Sequence, residues 1–207
     1  MGIRTKVLGC GPLEENTYLL TDEETGDAAV LDPGFFSKKT AEAIRESGRL
    51  LCIILTHAHG DHFAALREYQ SFFPEAKVIA PLGEERILAE GDARNGFTFA
   101  EGVKPPIEAE LVREGDTFTL GKSILHFLET PGHTSGSMCI YADPSLWSGD
   151  TLFFHSVGRT DLPGGSWQAL QRSVRTKLYT LPEETVVYPG HGPMTTIAEE
   201  KRSNPFV

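Results

Sequence analysis

The chain has 207 residues, 40% of them hydrophobic and 23% charged, and a formal net charge of −10. That length and balance predict a single soluble globular domain over residues 1–207 and exclude a disordered or low-complexity chain. The acidic excess argues against charge-driven binding of nucleic acid or of an anionic membrane, and no apolar run exceeds six residues, far short of a membrane span.

In chain order, "IRTKVLG", "NTYLLTD" and "AAVLDPG" read as short strands separated by Gly, Pro and Asn. "SKKTAEAIRESG" reads as a helix that Ser37 can cap and Gly48 can close. "LLCIIL" is a buried strand, and "HFAALREYQSFFP" continues as a helix up to Pro74. "AKVIA" is the next strand, followed by the helical "GEERILAEG". Residues 91–110 lack periodicity, contain Pro105 and Pro106, and read as a long loop. From Gly83 to Asp116 nine acidic residues accompany four basic ones, the pattern of a solvated face. In the second half "DTFTL", "SILHFLET", "SMCIYAD" and "LWSGD" are strands, and "SWQALQRSVRTKLYT" is a helix. "TVVYPG" is a strand, and a last helix runs from Met194 to Ser203. Strands with interspersed helices in both halves suggest two packed sheets with helices outside, an α/β layout. Cys52 and Cys139 lie in strand-like apolar runs and read as core; Cys10 lies in a turn. Three cysteines without CxxC spacing predict neither a disulfide framework nor a zinc ribbon. The N-terminus has no apolar leader, so the expected location is cytoplasmic.

The residues that carry chemistry are concentrated in "LTHAHGDH", which follows the buried strand at Leu55. His57 and His59 leave an extended segment on the same side. Gly60 permits a sharp turn, and Asp61 and His62 open a helix whose dipole favours the aspartate there. Such an arrangement can present ligands to two neighbouring sites. Imidazole nitrogen and carboxylate oxygen suit zinc, iron or manganese better than calcium or magnesium. Three later strand ends add one metal-binding side chain each in a glycine-flanked turn: His133 in "ETPGHTSGS", Asp150 in "LWSGDT" and His191 in "VVYPGHGP". His126 lies mid-strand and reads as structural, while His155 reads as a supporting or solvent-facing residue.

"THAHGDH", "PGHTSGS", "SGD" and "PGHGP", in that order, resemble the metallo-β-lactamase superfamily from Asn16 to at least His191. The resemblance implies an αββα sandwich with a dinuclear metal site at the sheet edges. Carried over by position, one divalent ion takes His57, His59 and His133, and the other takes Asp61, His62 and His191. Asp150 bridges both, together with a hydroxide, so that Asp61 and Asp150 take part directly in catalysis. Asp32 in "LDPG" matches a strand-end aspartate that supports a ligand histidine. Zinc is the first expectation for the two ions, with iron or manganese also fitting.

Metal coordination lowers the pKa of bound water to roughly 7, and a metal ion can polarise a carbonyl, so attack of a metal-bound hydroxide on an acyl carbon is the expected reaction. Lactamases of the best-known subclass carry cysteine at the position of Asp150, and superfamily nucleases bring a basic RNA-gripping region that this sequence lacks. Aspartate at position 150 with His62 and His191 resembles the glyoxalase II group, which hydrolyses S-acylglutathione thioesters such as S-lactoylglutathione. "SVGRTDLPGG" and the closing "SNPFV" resemble the short bacterial members of that group in particular. Full-length glyoxalase II has a C-terminal helical domain that contacts glutathione. With 16 residues after His191, that domain is expected to be absent. The expected partner is therefore a small anionic thioester, and Arg159 is the candidate for gripping a carboxylate, by bidentate pairing of its guanidinium. The other reading for Arg159 is a loop brace paired with Asp161. A redox alternative is a mononuclear iron persulfide dioxygenase acting on glutathione persulfide, a family that shares the fold and the "GRTD" segment. No sequence feature marks an oligomer interface.

Overall fold

The computed structural model describes residues 2–11, 13–90 and 108–207. Its first six strands are β1 (Ile3–Cys10), β2 (Asn16–Asp22), β3 (Ala28–Leu31), β4 (Leu50–Ile54), β5 (Lys77–Pro81) and β6 (Glu110–Val112). They form one sheet in chain order, antiparallel from β1 to β3 and parallel from β3 to β6. A second six-stranded sheet comprises β7 (Thr117–Leu120), β8 (Ser123–Glu129), β9 (Met138–Ala142), β10 (Ser145–Gly149), β13 (Val186–Pro189) and β14 (Thr195–Thr196). A small hairpin, β11 (Leu152–Phe153) with β12 (Ser156–Val157), follows β10.

The two-residue period of each strand sorts its side chains into two layers. Ala29, Leu31, Cys52, Ile54 and Ile79 of the first sheet meet Leu125, Phe127, Met138, Ile140 and Trp147 of the second in the central layer. Their alternates Val30, Ile53 and Val78 turn outward against α1 (Lys38–Ser47), α2 (Gly60–Phe63) and α3 (Leu66–Phe72), through Ala41, Ile44, Phe63, Leu66 and Tyr69. On the second sheet Cys139, Leu146 and Val187 face α5 (Trp167–Thr176) and α6 (Ile197–Ser203), through Leu170, Val174 and Ile197. The layers therefore run helix, sheet, sheet, helix, as expected. Each fully buried large apolar side chain in them contributes about 1.5–3 kcal/mol.

Several local expectations are revised. The helix read from His62 to Phe73 is two pieces, because the Ala65 amide donates to Pro33 O (2.8 Å) rather than continuing the helical ladder. Ser37 stands at the N-cap of α1, but its side chain makes no cap bond; Ser166 does cap α5, accepting from the Ala169 amide. The helix read through Thr180 stops at Thr176, and a separate 3-10 turn covers Leu178–Thr180. The final helix begins at Ile197, because Thr195 and Thr196 pair with β13 as β14. Short β6, β11 and β12 carry too few residues for a periodic signal. In the acidic stretch, Glu84 is not solvated but buried, 1% exposed, and α4 (Glu85–Glu90) follows it. Most of the long loop read at 91–110 lies outside the described residues. Among the described residues no helix is long and apolar enough to cross a membrane.

Candidate metal centre

Seven side chains from the C-terminal ends of four strands meet at one edge of the sandwich. His57 and His59 follow β4, Asp61 and His62 lie in α2, His133 follows β8, Asp150 follows β10 and His191 follows β13. Backbone crowding brings them close. A Cβ on Gly158 would sit 1.8 Å from Asp150 O, and one on Gly190 would sit 2.2 Å from Asp150 Oδ1. Only glycine admits these approaches. The PGHGP turn is clamped from the first sheet by Asn16, whose amide donates to Gly190 O (2.7 Å) and whose side chain donates to Pro189 O and Gly192 O.

The donor atoms converge as metal ligands do. His59 Nδ1 lies 3.1 Å from His57 Nε2 and 2.8 Å from His133 Nε2. Asp150 presents Oδ1 to His62 Nε2 at 3.3 Å, and Oδ2 to His133 Nε2 and His191 Nε2 at 3.4 and 3.6 Å. Asp61 Oδ2 lies 3.4 Å from His191 Nε2 and 3.9 Å from His62 Nε2. Three overlapping groups therefore have all their ligand atoms within 4.8 Å: His57, His59 and His133; His57, His62 and Asp150; Asp61, His62 and His191. Asp150 sits between the two histidine groups, the place expected for a bridging ligand.

Neighbouring acceptors settle which nitrogen of each ring carries the proton. Asp32 is held at φ 47° and buried, and its carboxylate accepts from the Thr56 amide and hydroxyl (both 2.8 Å) and from His62 Nδ1 (2.9 Å). Thr56 Oγ1, having given its proton to Asp32, can only accept from His57 Nδ1 at 3.0 Å. His133 Nδ1 donates to the Arg159 carbonyl at 2.8 Å. In His57 and His133 Nδ1 is thus the protonated nitrogen and Nε2 keeps the lone pair, while His62 donates from Nδ1 to Asp32 and turns Nε2 toward Asp150. Asp32 lies beside His62, and Thr56, unremarked in the sequence, links it to His57.

Burial pushes His57 far below the usual imidazole range, His59 down to about 4, and His133 in the same direction, so these three are neutral donors near pH 7. Burial acts likewise on His62 and His191, but Asp150 and Asp32 around the first, and Asp61 beside the second, more than offset it and raise both. For Asp150 burial favours the neutral acid, but His62, His133 and His191 outweigh it and hold the carboxyl well below its ordinary value. Among the described residues this cluster is incompletely satisfied: Asp61 Oδ1, His62 Nε2 and Asp150 Oδ1 are buried without a hydrogen-bond partner. Five histidines and two carboxylates around such atoms fit divalent transition-metal ions.

A family model described as "Metallo-beta-lactamase superfamily" matches residues 10–191. The chain belongs to that superfamily. Its relatives include the probable metallo-hydrolase YqgX of Bacillus subtilis (strain 168), 38% identical over 202 residues, covering 95% of this chain and 94% of that protein. Another is the hydroxyacylglutathione hydrolase GloC of Haemophilus influenzae, 33% identical, covering 94% and 93%. The crystal structure of the B3 metallo-beta-lactamase BLEG-1 superposes with TM-score 0.84 at 35% identity, covering 98% of this chain and 99% of that one. TTHA1623 in a di-iron-bound form gives 0.82 at 34% identity, covering 98% and 100%. ETHE1 from Myxococcus xanthus gives 0.78 at 30% identity, covering 99% and 84%. The superfamily and its metallo-hydrolase relatives make this a metal-dependent hydrolase with a His/Asp centre for divalent ions.

The remaining candidates fall around this centre. Arg159 lends its backbone carbonyl to His133, while its exposed guanidinium forms a bidentate pair with Asp161 (2.7 and 2.8 Å). His126 is an exposed residue of β8 that belongs to no ligand group, and His155 pairs with Glu199 at 2.8 Å. Glu15 went unremarked in the sequence. It is fully buried, accepts from the Gly11 amide (2.8 Å), and bridges by backbone to His191.

Proposed function

We propose that the chain is a dinuclear metal-dependent thioesterase of the glyoxalase II kind, acting on small anionic S-acyl thioesters such as S-lactoylglutathione. The observation that carries this reading is the complete set of seven ligands, with Asp150 between the two histidine groups and within 3.6 Å of both. Two divalent ions, zinc in the first instance, would supply an acidified water as nucleophile and an electrophile for the thioester carbonyl. His57, His59 and His133 hold one ion as neutral donors; Asp61, His62 and His191 hold the other. Asp150 keeps the two halves in register, and its negative charge, with that of Asp61, offsets part of the ionic charge. His191, 27% exposed, marks the side of the cluster open to substrate. Arg159 can meet a substrate carboxylate by exchanging it for Asp161. Similarity to the hydroxyacylglutathione hydrolase GloC supports the thioester class.

A second reading rests on the self-contained His57, His59 and His133 triad and on the likeness to ETHE1: a mononuclear iron persulfide dioxygenase. Metal content per chain on protein purified without added metal, with S-lactoylglutathione hydrolysis on the same sample, separates the two. Two ions with thioester turnover, lost by orders of magnitude in His57→Ala, is the expected result. One iron per chain and no hydrolysis would replace it with sulfur oxidation, to be checked by oxygen uptake with glutathione persulfide. Turnover of a β-lactam but not of the thioester would also overturn the substrate class.

A further inference from the structure

Glu84 ends the 3-10 turn Leu82–Glu84 that follows β5. Its carboxylate is buried at the junction of the two ligand-bearing turns. Oε1 accepts from the Thr134 hydroxyl and from the Gly136 amide (3.1 Å). Glu84 follows β5, the neighbour in the first sheet of β4, which leads to His57 and His59. Thr134 follows His133, on the second. One carboxylate therefore ties the sheet that carries His57 and His59 to the turn that carries His133.

The surroundings are shaped for this tie. A Cβ on Gly83 would lie 2.6 Å from Gly136 Cα, so the two turns touch only because both residues lack side chains. The Thr134 amide and hydroxyl bond Ser137 Oγ at 2.9 and 2.7 Å, which stiffens the turn after His133. Glu84 makes no contact with Asp61, His62 or His191 among its hydrogen bonds. A buried carboxylate needs donors to offset its desolvation, and for Oε1 they come from the turn that follows His133.

We propose that Glu84 is a positioning residue that sets His133 against His57 and His59, and so the metal affinity of that half of the centre. It touches neither the reacting atoms nor the Asp61, His62 and His191 half. The inference rests on the reading that the histidine triad binds a divalent ion, and the test separates the two.

Stepwise zinc affinities of the chelator-stripped protein, by competition with a chromophoric chelator, give the readout, alongside urea unfolding of the zinc-free form. In the wild type two affinities are expected, one of them removed by His57→Ala. If His57→Ala removes neither, the triad reading itself fails. Glu84→Ala should weaken the triad affinity about 10–100-fold, as loss of a partner behind a metal ligand does, and leave the other affinity unchanged. In a His57→Ala background Glu84→Ala should leave the remaining affinity unchanged. Glu84→Gln keeps an oxygen for the Thr134 hydroxyl and should restore most of the loss. Thr134→Val, which removes one donor at nearly constant shape, should give a smaller loss confined to the triad. Equal weakening of both affinities together with lower zinc-free stability would reduce Glu84 to a structural brace, and unchanged affinities would overturn the proposal. Should Glu84→Ala not fold, Glu84→Gln and Thr134→Val decide by the same criterion: no selective loss in either sinks it.

Discussion

Asp32→Asn isolates the role of the proton on His62, because it exchanges one oxygen for an NH2 group at little change in volume. The Asp32 carboxylate accepts three hydrogen bonds, two from Thr56 and one from His62 Nδ1. Asparagine has one carbonyl oxygen. If that oxygen keeps the Thr56 amide, its NH2 faces the Thr56 hydroxyl and His62. The hydroxyl can rotate and accept. His62 can accept at Nδ1 only by moving its proton to Nε2, which points at Asp150 from 3.3 Å and then has no lone pair for a metal ion. Keeping the original tautomer instead leaves two donors facing each other and forfeits a hydrogen bond to a charged group, worth about 1.5–3 kcal/mol. Either route implies a loss of roughly 10- to 150-fold in affinity at the His62 half. The His57 half, linked to Asp32 only through Thr56, should lose less. Zinc titration of the stripped protein, with near-UV circular dichroism to verify the fold, measures both affinities. Wild-type affinity at the His62 half in a folded Asp32→Asn variant would refute the tautomer argument.

Three further outcomes follow from other regions of the molecule. Arg159→Ala should raise KM for an anionic thioester at little change in kcat, whereas Asp161→Ala, which releases the guanidinium from its exposed pair, should lower KM; unchanged KM in both would leave Arg159 as a loop brace. Of the three thiols only exposed Cys10 should react with a disulfide reagent in native protein at pH 8, since Cys52 and Cys139 are buried and burial pushes Cys139 up to about 11; fast modification of two or more would contradict the packing. Asp22 is held below its ordinary value chiefly by the Ser123 hydroxyl (2.7 Å) and also by the Thr25 amide and hydroxyl (both 2.9 Å). Its contribution is therefore full above the unfolded carboxyl pKa of about 3.9 and is lost as pH falls through the lower folded value. Asp22→Asn should reduce urea stability at pH 7, with the deficit shrinking in acid; a deficit that widens in acid would reverse the assigned sign.

The seven candidate ligands could be picked out in the sequence because each sits in a local signature: a strand end, a glycine, and a side chain of ligand type. Strands with interspersed helices in both halves likewise suggested two packed sheets, although all-apolar runs such as "AAVL" and "LLCII" do not show which side chain faces which layer. What the linear order could not supply was the company each ligand keeps. Thr56 looks like a strand-end residue until the fold sets its hydroxyl between Asp32 and His57. Glu84 reads as one more surface acid, and only the meeting of two turns at Gly83 and Gly136 makes it a buried tie. The break at Ala65 has the same origin, a single acceptor on Pro33 brought within reach by tertiary contact. Candidate ligands are marked by residue type and local backbone, so the sequence alone was enough to nominate them. Protonation state, ligand spacing and burial depend on atoms distant in the chain and on the desolvation they impose, and these only the tertiary structure decided.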